Sequence, residues 1–425
     1  AMVVSTAGRK VSRTVAASTF LAALCGIVAL GLSNRSLYFD QSDARVYRQA
    51  GALIWHGSGS LYQRSFTSAH LPFTYPPFAA AVFGPFSGLP FWMWQAGSAV
   101  LAVGCLLASA RASFSLAGAA VETELVLLVA AIGLWLEPIS MTLSFGQINL
   151  VLMALVLLDF TAPDSWRWRG LGVGLAAALK LTPLIFIPYL FLIGRRRAAL
   201  ISLLTFATSV IVGCAVLPAA SRSYWGGRIG HSGDGPARLV NQSLDGVVRR
   251  LLPAGGLADL TWLMGALAVG TAGLIIAAAT ARQGQALLGI CLCAATGLLV
   301  SPISWSHHWV WVLPLLAGTV AAPHWRRSVR VAVVATIIGL FGWWPLTVGP
   351  HGEFAGSAKL HPSGLLRIAP HENGAELRWS GWQLLYGDYY VIFGVVVLAV
   401  AAAVQLRARR GPGQDSGVIT TPTSP

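Results

Sequence analysis

Charge is what this sequence has least of. Only 10% of its 425 residues are Asp, Glu, Lys or Arg, whereas 55% are hydrophobic, and the mean hydropathy is +0.67. Soluble domains carry roughly 25% charged residues, so the deficit excludes an ordinary globular protein. Acidic residues are scarcer than basic ones, 15 against 29, which leaves a formal charge of +14. A surplus of that size would suit a nucleic-acid binder, but its placement argues against one. The cations stand in short clusters between apolar runs: Arg9-Lys10-Arg13, Arg195-Arg196-Arg197, Arg326-Arg327-Arg330 and Arg407-Arg409-Arg410. That is how cytoplasmic loops look under the positive-inside rule, and no nucleic-acid partner is expected. Cysteine is also sparse. Cys25, Cys105, Cys214, Cys291 and Cys293 lie in or beside apolar runs, with no CxxC pair and no His at zinc spacing. Neither a disulfide nor a structural metal is expected.

Long apolar runs are what the chain does have. The first, Thr14 to Ser33, is about as long as a membrane span and longer than a signal-peptide core. Others follow at about 77–110, 120–138, 145–161, 169–194, 198–217, 258–280, 285–302, 309–323, 331–348 and 385–406. The reading is an all-α polytopic membrane protein of 11 to 13 transmembrane helices in one domain, about 14–406. Residues 1–13 form a cytoplasmic N-terminus, and 407–425 a cytoplasmic tail rich in Gly, Pro, Ser and Thr that reads as disordered. Loops without Arg clusters, at about 34–76, 218–257, 301–308 and 349–384, are rich in Trp, Tyr, His, Gly and Pro and belong outside. The parity of crossings closes except between 77 and 194. Either 77–110 crosses twice, turning at Gly84–Gly88, or 169–194 folds back near Lys180-Leu181-Thr182-Pro183. Only the second keeps Arg111, Arg167 and Arg169 inside.

The polar residues with chemical potential concentrate in a few places. After the first helix comes Phe39-Asp40-Gln41-Ser42-Asp43, followed by apolar and aromatic residues near helical spacing over 43–55, consistent with a helix lying on the membrane. Asp43 would fall at its start, where a carboxylate serves as a helix cap. It would serve equally as a general base whose pKa partial burial raises toward neutrality. Ser301-Pro302-Ile303-Ser304-Trp305-Ser306-His307-His308 lies at an outer helix end. An interfacial cap is one reading, and a phosphate-binding His pair is the other. Gln147 and Asn149 open an apolar helix, where interhelical hydrogen bonds are the plain expectation. Lys180 has no other charge within ten residues on either side. An ionisable residue at that depth is costly and points to function. Tyr224-Trp225, Asn241-Gln242-Ser243 and Arg249-Arg250 in the second long loop suit sugar stacking and phosphate contact.

In order, Asp43-Ala44-Arg45-Val46-Tyr47, Gly59-Ser60-Leu61-Tyr62, Tyr75-Pro76-Pro77, Gly146-Gln147-Ile148-Asn149, Lys180-Leu181-Thr182-Pro183, Asn241-Gln242-Ser243 and Ser301–His308 resemble glycosyltransferase family 87 of the GT-C superfamily. The resemblance covers about residues 14–345. It implies a GT-C fold with amphipathic helices in its extracytoplasmic loops, and an active site on the outer face of the plasma membrane. The implied substrates are lipid-linked, a polyprenyl-phosphate sugar donor and a glycolipid acceptor. Within the family the chain is similar to enzymes that add mannose in α-1,2 linkage to a phosphatidylinositol mannoside. The resemblance places the catalytic base on Asp43, acting with inversion, and places His307 on the donor phosphate or sugar. The remaining candidates for substrate binding are His308, Lys180, Asp40, Tyr47, Tyr75, Gln147, Asn149, Asn241 and Trp305. An Asp-Asp or Glu-x-Asp metal motif is absent, so no metal and no cofactor beyond the donor is expected. The 349–384 loop, with His351, Lys359, His361, Arg367, His371 and Arg378, is either a solvated loop or a reader of an anionic head group. The protein is expected to be a monomer among membrane lipids. The runner-up is an arabinofuranosyltransferase using polyprenyl-phosphate arabinose. From another class comes a lipid or polyprenyl-phosphate transporter, against which stand the lack of an inverted repeat and the large aromatic loops.

Overall fold

The structure is a computed structural model that describes residues 11–56, 61–228, 235–322, 325–344, 363–371 and 373–410. His351, Lys359, His361 and the segment 411–425 lie outside the described residues. Within them the chain is helical, and extended pairing is limited to isolated bridges such as Asn241 with Trp305 and Leu136 with Gly342.

In chain order the helices are α1 (Arg13–Ser33), α2 (Arg35–Tyr38), α3 (Ser42–His56), α4 (Pro77–Phe83), α5 (Phe91–Leu116), α6 (Thr123–Leu134), α7 (Glu137–Phe145), α8 (Asn149–Thr161), α9 (Leu171–Leu179) and α10 (Phe186–Leu192). They continue with α11 (Arg196–Val216), α12 (Pro218–Ser223), α13 (Leu244–Leu251), α14 (Gly256–Arg282), α15 (Ala286–Val300), α16 (Val312–Val320), α17 (Arg327–Phe341), α18 (Trp382–Gly387) and α19 (Tyr389–Arg410). Five of these, α1, α5, α11, α14 and the apolar part of α19, are each long and apolar enough to cross a membrane, and α7 with α8 makes a sixth candidate bent by 117°. Their outer faces expose Leu32, Val100, Leu204, Ile211, Leu260, Met264 and Val400, each more than half exposed. Apolar surface that continuous is stable only against lipid.

The direction of each leg follows from its end contacts. Arg13 pairs with Glu124 at 3.0 Å, so α1 and α6 start together. Gln405 near the end of α19 donates to the Ile276 carbonyl of α14 at 2.9 Å, and Arg282 at the end of α14 donates to the carbonyl of Leu192. These residues share the basic end of the bundle. The segment 169–194 is a hairpin. Ser202 Oγ donates to the Gly170 carbonyl at 2.8 Å and Arg195 lies 3.8 Å from Asp164, so both feet stand at the basic end, while the tip carries Lys180. Asp159 caps the first foot, taking the Gly170 N–H at 2.9 Å, which suits a carboxylate at a helix N-terminus. Of the two parity solutions, the fold-back at Lys180 is the one adopted. The 77–110 run contributes only α4, packed at the opposite end, and the single leg α5. Twelve legs result among the described residues (α1, α5, α6, α8, α9, α10, α11, α14, α15, α16, α17 and α19), of which five are long and apolar enough to cross a membrane alone.

The legs differ in length, and this sets the depth of the site. The outer helix α5 has 26 residues and the inner helix α8 has 13, which is about 39 Å against about 20 Å at 1.5 Å per residue. Among the legs, α8 and α15 have the largest share of enclosed residues. The leg tips at Asn149, Lys180 and Ser301–His308 stop below the end of α5, and irregular backbone begins there. Such backbone is tolerated at membrane depth only where protein or a cavity surrounds it. Small residues permit the tight crossing beneath these tips: a Cβ on Gly172 would lie 2.5 Å from the Leu155 carbonyl oxygen.

Candidate active site

Helix α3 brings Asp43 to the mouth of this recess, and Gln41 fixes it there. Gln41 is fully buried with a left-handed φ of 54°. Its backbone N–H donates to the Ser144 carbonyl at 2.8 Å, and its side-chain amide donates to the Leu143 carbonyl. Ser98 on α5 donates to its Oε1 at 3.1 Å. These contacts clamp the start of α3 onto the α7–α8 bend. The bend itself turns on Gly146, whose φ of 67° ends α7 in the left-handed geometry glycine favours. A Cβ there would come within 2.5 Å of Gln41 Oε1, so the position also needs the missing side chain.

The bend presents Gln147 to Asp43. The hydroxyls of Tyr47 and Tyr75 are 2.7 Å apart and converge on Gln147 Oε1 at 2.8 and 3.0 Å. With its carbonyl oxygen so occupied, Gln147 donates from Nε2 to the Asp43 carboxylate. Asp43 keeps part of its surface open, yet the protein packed around it removes enough water to push its pKa from 3.8 up to about 6. Asp40 adds to the rise, whereas Gln147 and Lys180 oppose it.

Lys180, at the hairpin tip, occupies the far wall. Its ammonium donates to Asn149 Oδ1 at 3.0 Å, lies 2.8 Å from His308 Nε2, and sits 5.5 Å from the centre of the Tyr75 ring. With Lys180 protonated, His308 Nε2 accepts from the ammonium and the proton of the neutral ring sits on Nδ1. Asn149 completes the chain by donating from Nδ2 to the His307 carbonyl at 3.0 Å, which Thr142 also reaches at 3.0 Å. The His307 ring is buried edge-on against Phe145 and His308 at 5.4 and 4.8 Å between centroids. His307 Nε2 and His308 Nδ1 are buried without a hydrogen-bond partner among the described residues. Buried polar atoms are nearly always paired, and orphans beside a cation mark a place prepared for a polar ligand.

Asp43, Tyr47, Tyr75, Gln147, Asn149, Lys180, His307 and His308 thus converge, with Asp40 exposed at the rim. Tyr47, Tyr75 and Gln147 hydrogen-bond to one another, and Gln147 to Asp43. Asn241 stands apart from the cluster. Fully buried, it donates to the Pro236 and Pro302 carbonyls at 2.8 and 3.1 Å and accepts the Ser304 N–H at 2.9 Å, so its polar atoms face backbone rather than a ligand. It staples the 301–308 turn to the second long loop. Trp305 is half-buried, and its backbone bridges to Asn241. The Arg249-Arg250 pair is structural as well: Arg250 is buried against Asp388 and the carbonyls of Ala237, Arg238 and Asn241.

Sequence reasoning passed over Gln41, Thr142 and Glu137. Glu137 is buried and takes hydrogen bonds from Ser306 and Tyr390, each at 2.7 Å, tying α7 and α19 to the His turn. A lone acid in an apolar run is the same signal that singled out Lys180. The other two carry no such signal, since a single amide or hydroxyl is unremarkable in sequence.

No solved structure matches the chain. A polyprenol-phosphate-mannose-dependent alpha-(1-2)-phosphatidylinositol mannoside mannosyltransferase of Mycobacterium tuberculosis is 32% identical over 427 aligned residues, covering 94% of this chain and 93% of the relative. A Mycolicibacterium smegmatis protein of the same description is 34% identical over 93% of this chain and 92% of its own length. A second M. tuberculosis relative, described as acting on a phosphatidylinositol pentamannoside, is 35% identical over 80% of each chain. The family model of glycosyltransferase family 87 matches residues 73–302, a stretch that holds every converging residue except those on α3 and the two histidines. With the family model over more than half of its residues and these relatives along nearly its whole length, the chain belongs to glycosyltransferase family 87.

Proposed function

We propose that the chain transfers mannose from polyprenol-phosphate mannose to a phosphatidylinositol mannoside, forming an α-1,2 linkage with inversion. The names of the relatives supply the substrates. What carries the reading in this chain is the opposition, across one recess, of a carboxylate with pKa about 6 and an ammonium with a free donor. Asp43 takes the proton of the acceptor 2-hydroxyl as its oxygen attacks the anomeric carbon. The bond from that carbon to the phosphate oxygen breaks on the opposite side, and polyprenyl phosphate leaves with the electron pair. Two of the three Lys180 donors are held by Asn149 and His308, so the third faces the leaving phosphate. His307 adds a neutral donor from Nε2. Phosphate is already a good leaving group, so a base of this strength and this much charge stabilisation are adequate. No metal is required in this scheme.

The recess lies at the end of the bundle away from the Arg clusters. We assign that end to the outer face of the plasma membrane by the positive-inside rule. Both substrates are lipids whose head groups reach the recess while their chains stay in the bilayer. The stereochemistry of the product tests the proposal. From a donor of β configuration, proton NMR of the new linkage should show the α anomer. Net retention would exclude the single back-side displacement and would remove Asp43 from the role of base.

A further inference from the structure

We propose that the basic end carries a second binding site, unrelated to the recess, for the phosphate of an anionic membrane lipid head group. A cleft of roughly 100 Å³ opens there between α8, α10, α14 and α15, with Arg195, Arg282 and Tyr189 among its lining and Phe160 and Ile193 as apolar walls. Tyr189 is 1% exposed, and its hydroxyl has no hydrogen-bond partner among the described residues. The buried tyrosines Tyr47, Tyr62, Tyr75 and Tyr390 have one, whereas buried Tyr224 has none among the described residues. Tyr189 lines the cleft, where its hydroxyl can donate to an acceptor that arrives from outside. Gly289 leaves it room: a Cβ there would lie 2.6 Å from the hydroxyl oxygen.

The cations are likewise under-compensated. Arg195 shares its one acid, Asp164, with Arg169, which holds that carboxylate more closely. Arg282 donates to the Leu192 carbonyl and has no carboxylate within ion-pair distance among the described residues. Two guanidinium groups and a phenol around one cleft match the acceptor oxygens of a phosphodiester. The surrounding surface identifies the carrier of that phosphate. Phe191, Leu200 and Ile275 near the cleft are more than half exposed and face lipid, so an acyl chain has an apolar path beside the head group. Basic pockets between helices at this level are where anionic lipids are held. The site stands on residues at the opposite end from Asp43, and its failure would leave the transferase reading untouched.

The test is thermal unfolding of the full chain in a neutral detergent with added lipid. Phosphatidylglycerol should raise the melting temperature by roughly 2–4 °C, whereas phosphatidylcholine and soluble glycerol 1-phosphate should not. The Arg195→Gln/Arg282→Gln variant should lose the rise while keeping its transfer activity within about twofold. Tyr189→Phe, which keeps the ring and cannot donate, should show a reduced rise and decides the matter if the double variant does not fold. An equal rise in wild type and Tyr189→Phe, no rise in wild type, or an equal response to glycerol 1-phosphate would each overturn the lipid site.

Discussion

Replacing Asp43 by Asn should separate catalysis from stability in opposite directions. The wild-type carboxylate titrates near pH 6 rather than at 3.8, a rise of about two units caused chiefly by burial. At about 1.4 kcal/mol per unit, the ionised form costs the folded protein about 3 kcal/mol relative to the neutral one. The sign follows from the direction of the shift. The cost is absent below pH 4, grows between pH 4 and 6, and is constant above. Asn resembles the neutral acid, keeps an acceptor for the Gln147 amide, and carries no such cost, so at pH 7.5 the variant should melt higher than wild type. It cannot take a proton, and transfer should fall by about 10²–10⁴-fold. Mannose transfer and melting temperature, measured on the same purified samples, read both effects. If Asp43 only capped α3, Asn would leave activity intact, because Asn caps as well as Asp. A variant that is well folded and within a few-fold of wild-type activity would therefore refute the base assignment and turn attention to Asp40. A loss of activity accompanied by a lower melting temperature would equally count against it, by making the residue structural.

The other expectations concern the parts around that base. The pH profile of kcat/KM should rise with a half-point near 6. Gln147→Leu removes a donor that favours the ionised carboxylate and should move the half-point higher; an unmoved profile would show that the amide does not act on Asp43. His307→Ala should lower turnover by about 10²–10³-fold, as loss of one oxyanion donor does, and near-normal turnover would exclude His307 from the donor phosphate. For topology, a cysteine at exposed Arg196 should label only from the cytoplasm and one at exposed Arg64 only from outside; the reverse pattern would invert the enzyme in the membrane.

How much of this was legible in the sequence depended on whether a residue's role was local. The apolar runs announce the legs because lipid demands them, whatever the tertiary arrangement. Asp43 and Lys180 stand out for the same reason: charge next to, or within, an apolar run has few inexpensive explanations. The hairpin at Lys180 was not decidable, since Gly84–Gly88 and Lys180–Pro183 both contain turn residues. What decides it is tertiary, namely Ser202 on Gly170 and Arg195 beside Asp164. The Asn241 block was visible, but whether an amide faces substrate or backbone is settled only by what lies across from it. The mutual hydrogen bonds of Tyr47, Tyr75 and Gln147 are hidden from the sequence for the same reason. Gln41 needed both a left-handed backbone and a contact a hundred residues away, and neither leaves a mark in composition or periodicity.

The most direct test of the central claim is the identity of the sugar that moves. Purified wild-type protein in detergent would be given polyprenyl-phosphate mannose and polyprenyl-phosphate arabinose in parallel, with a phosphatidylinositol mannoside as acceptor and the products resolved by mass and linkage analysis. The account predicts a single added hexose, α-1,2-linked, from the mannose donor alone. Addition of a pentose, or a hexose at any position other than the 2-hydroxyl, would contradict it.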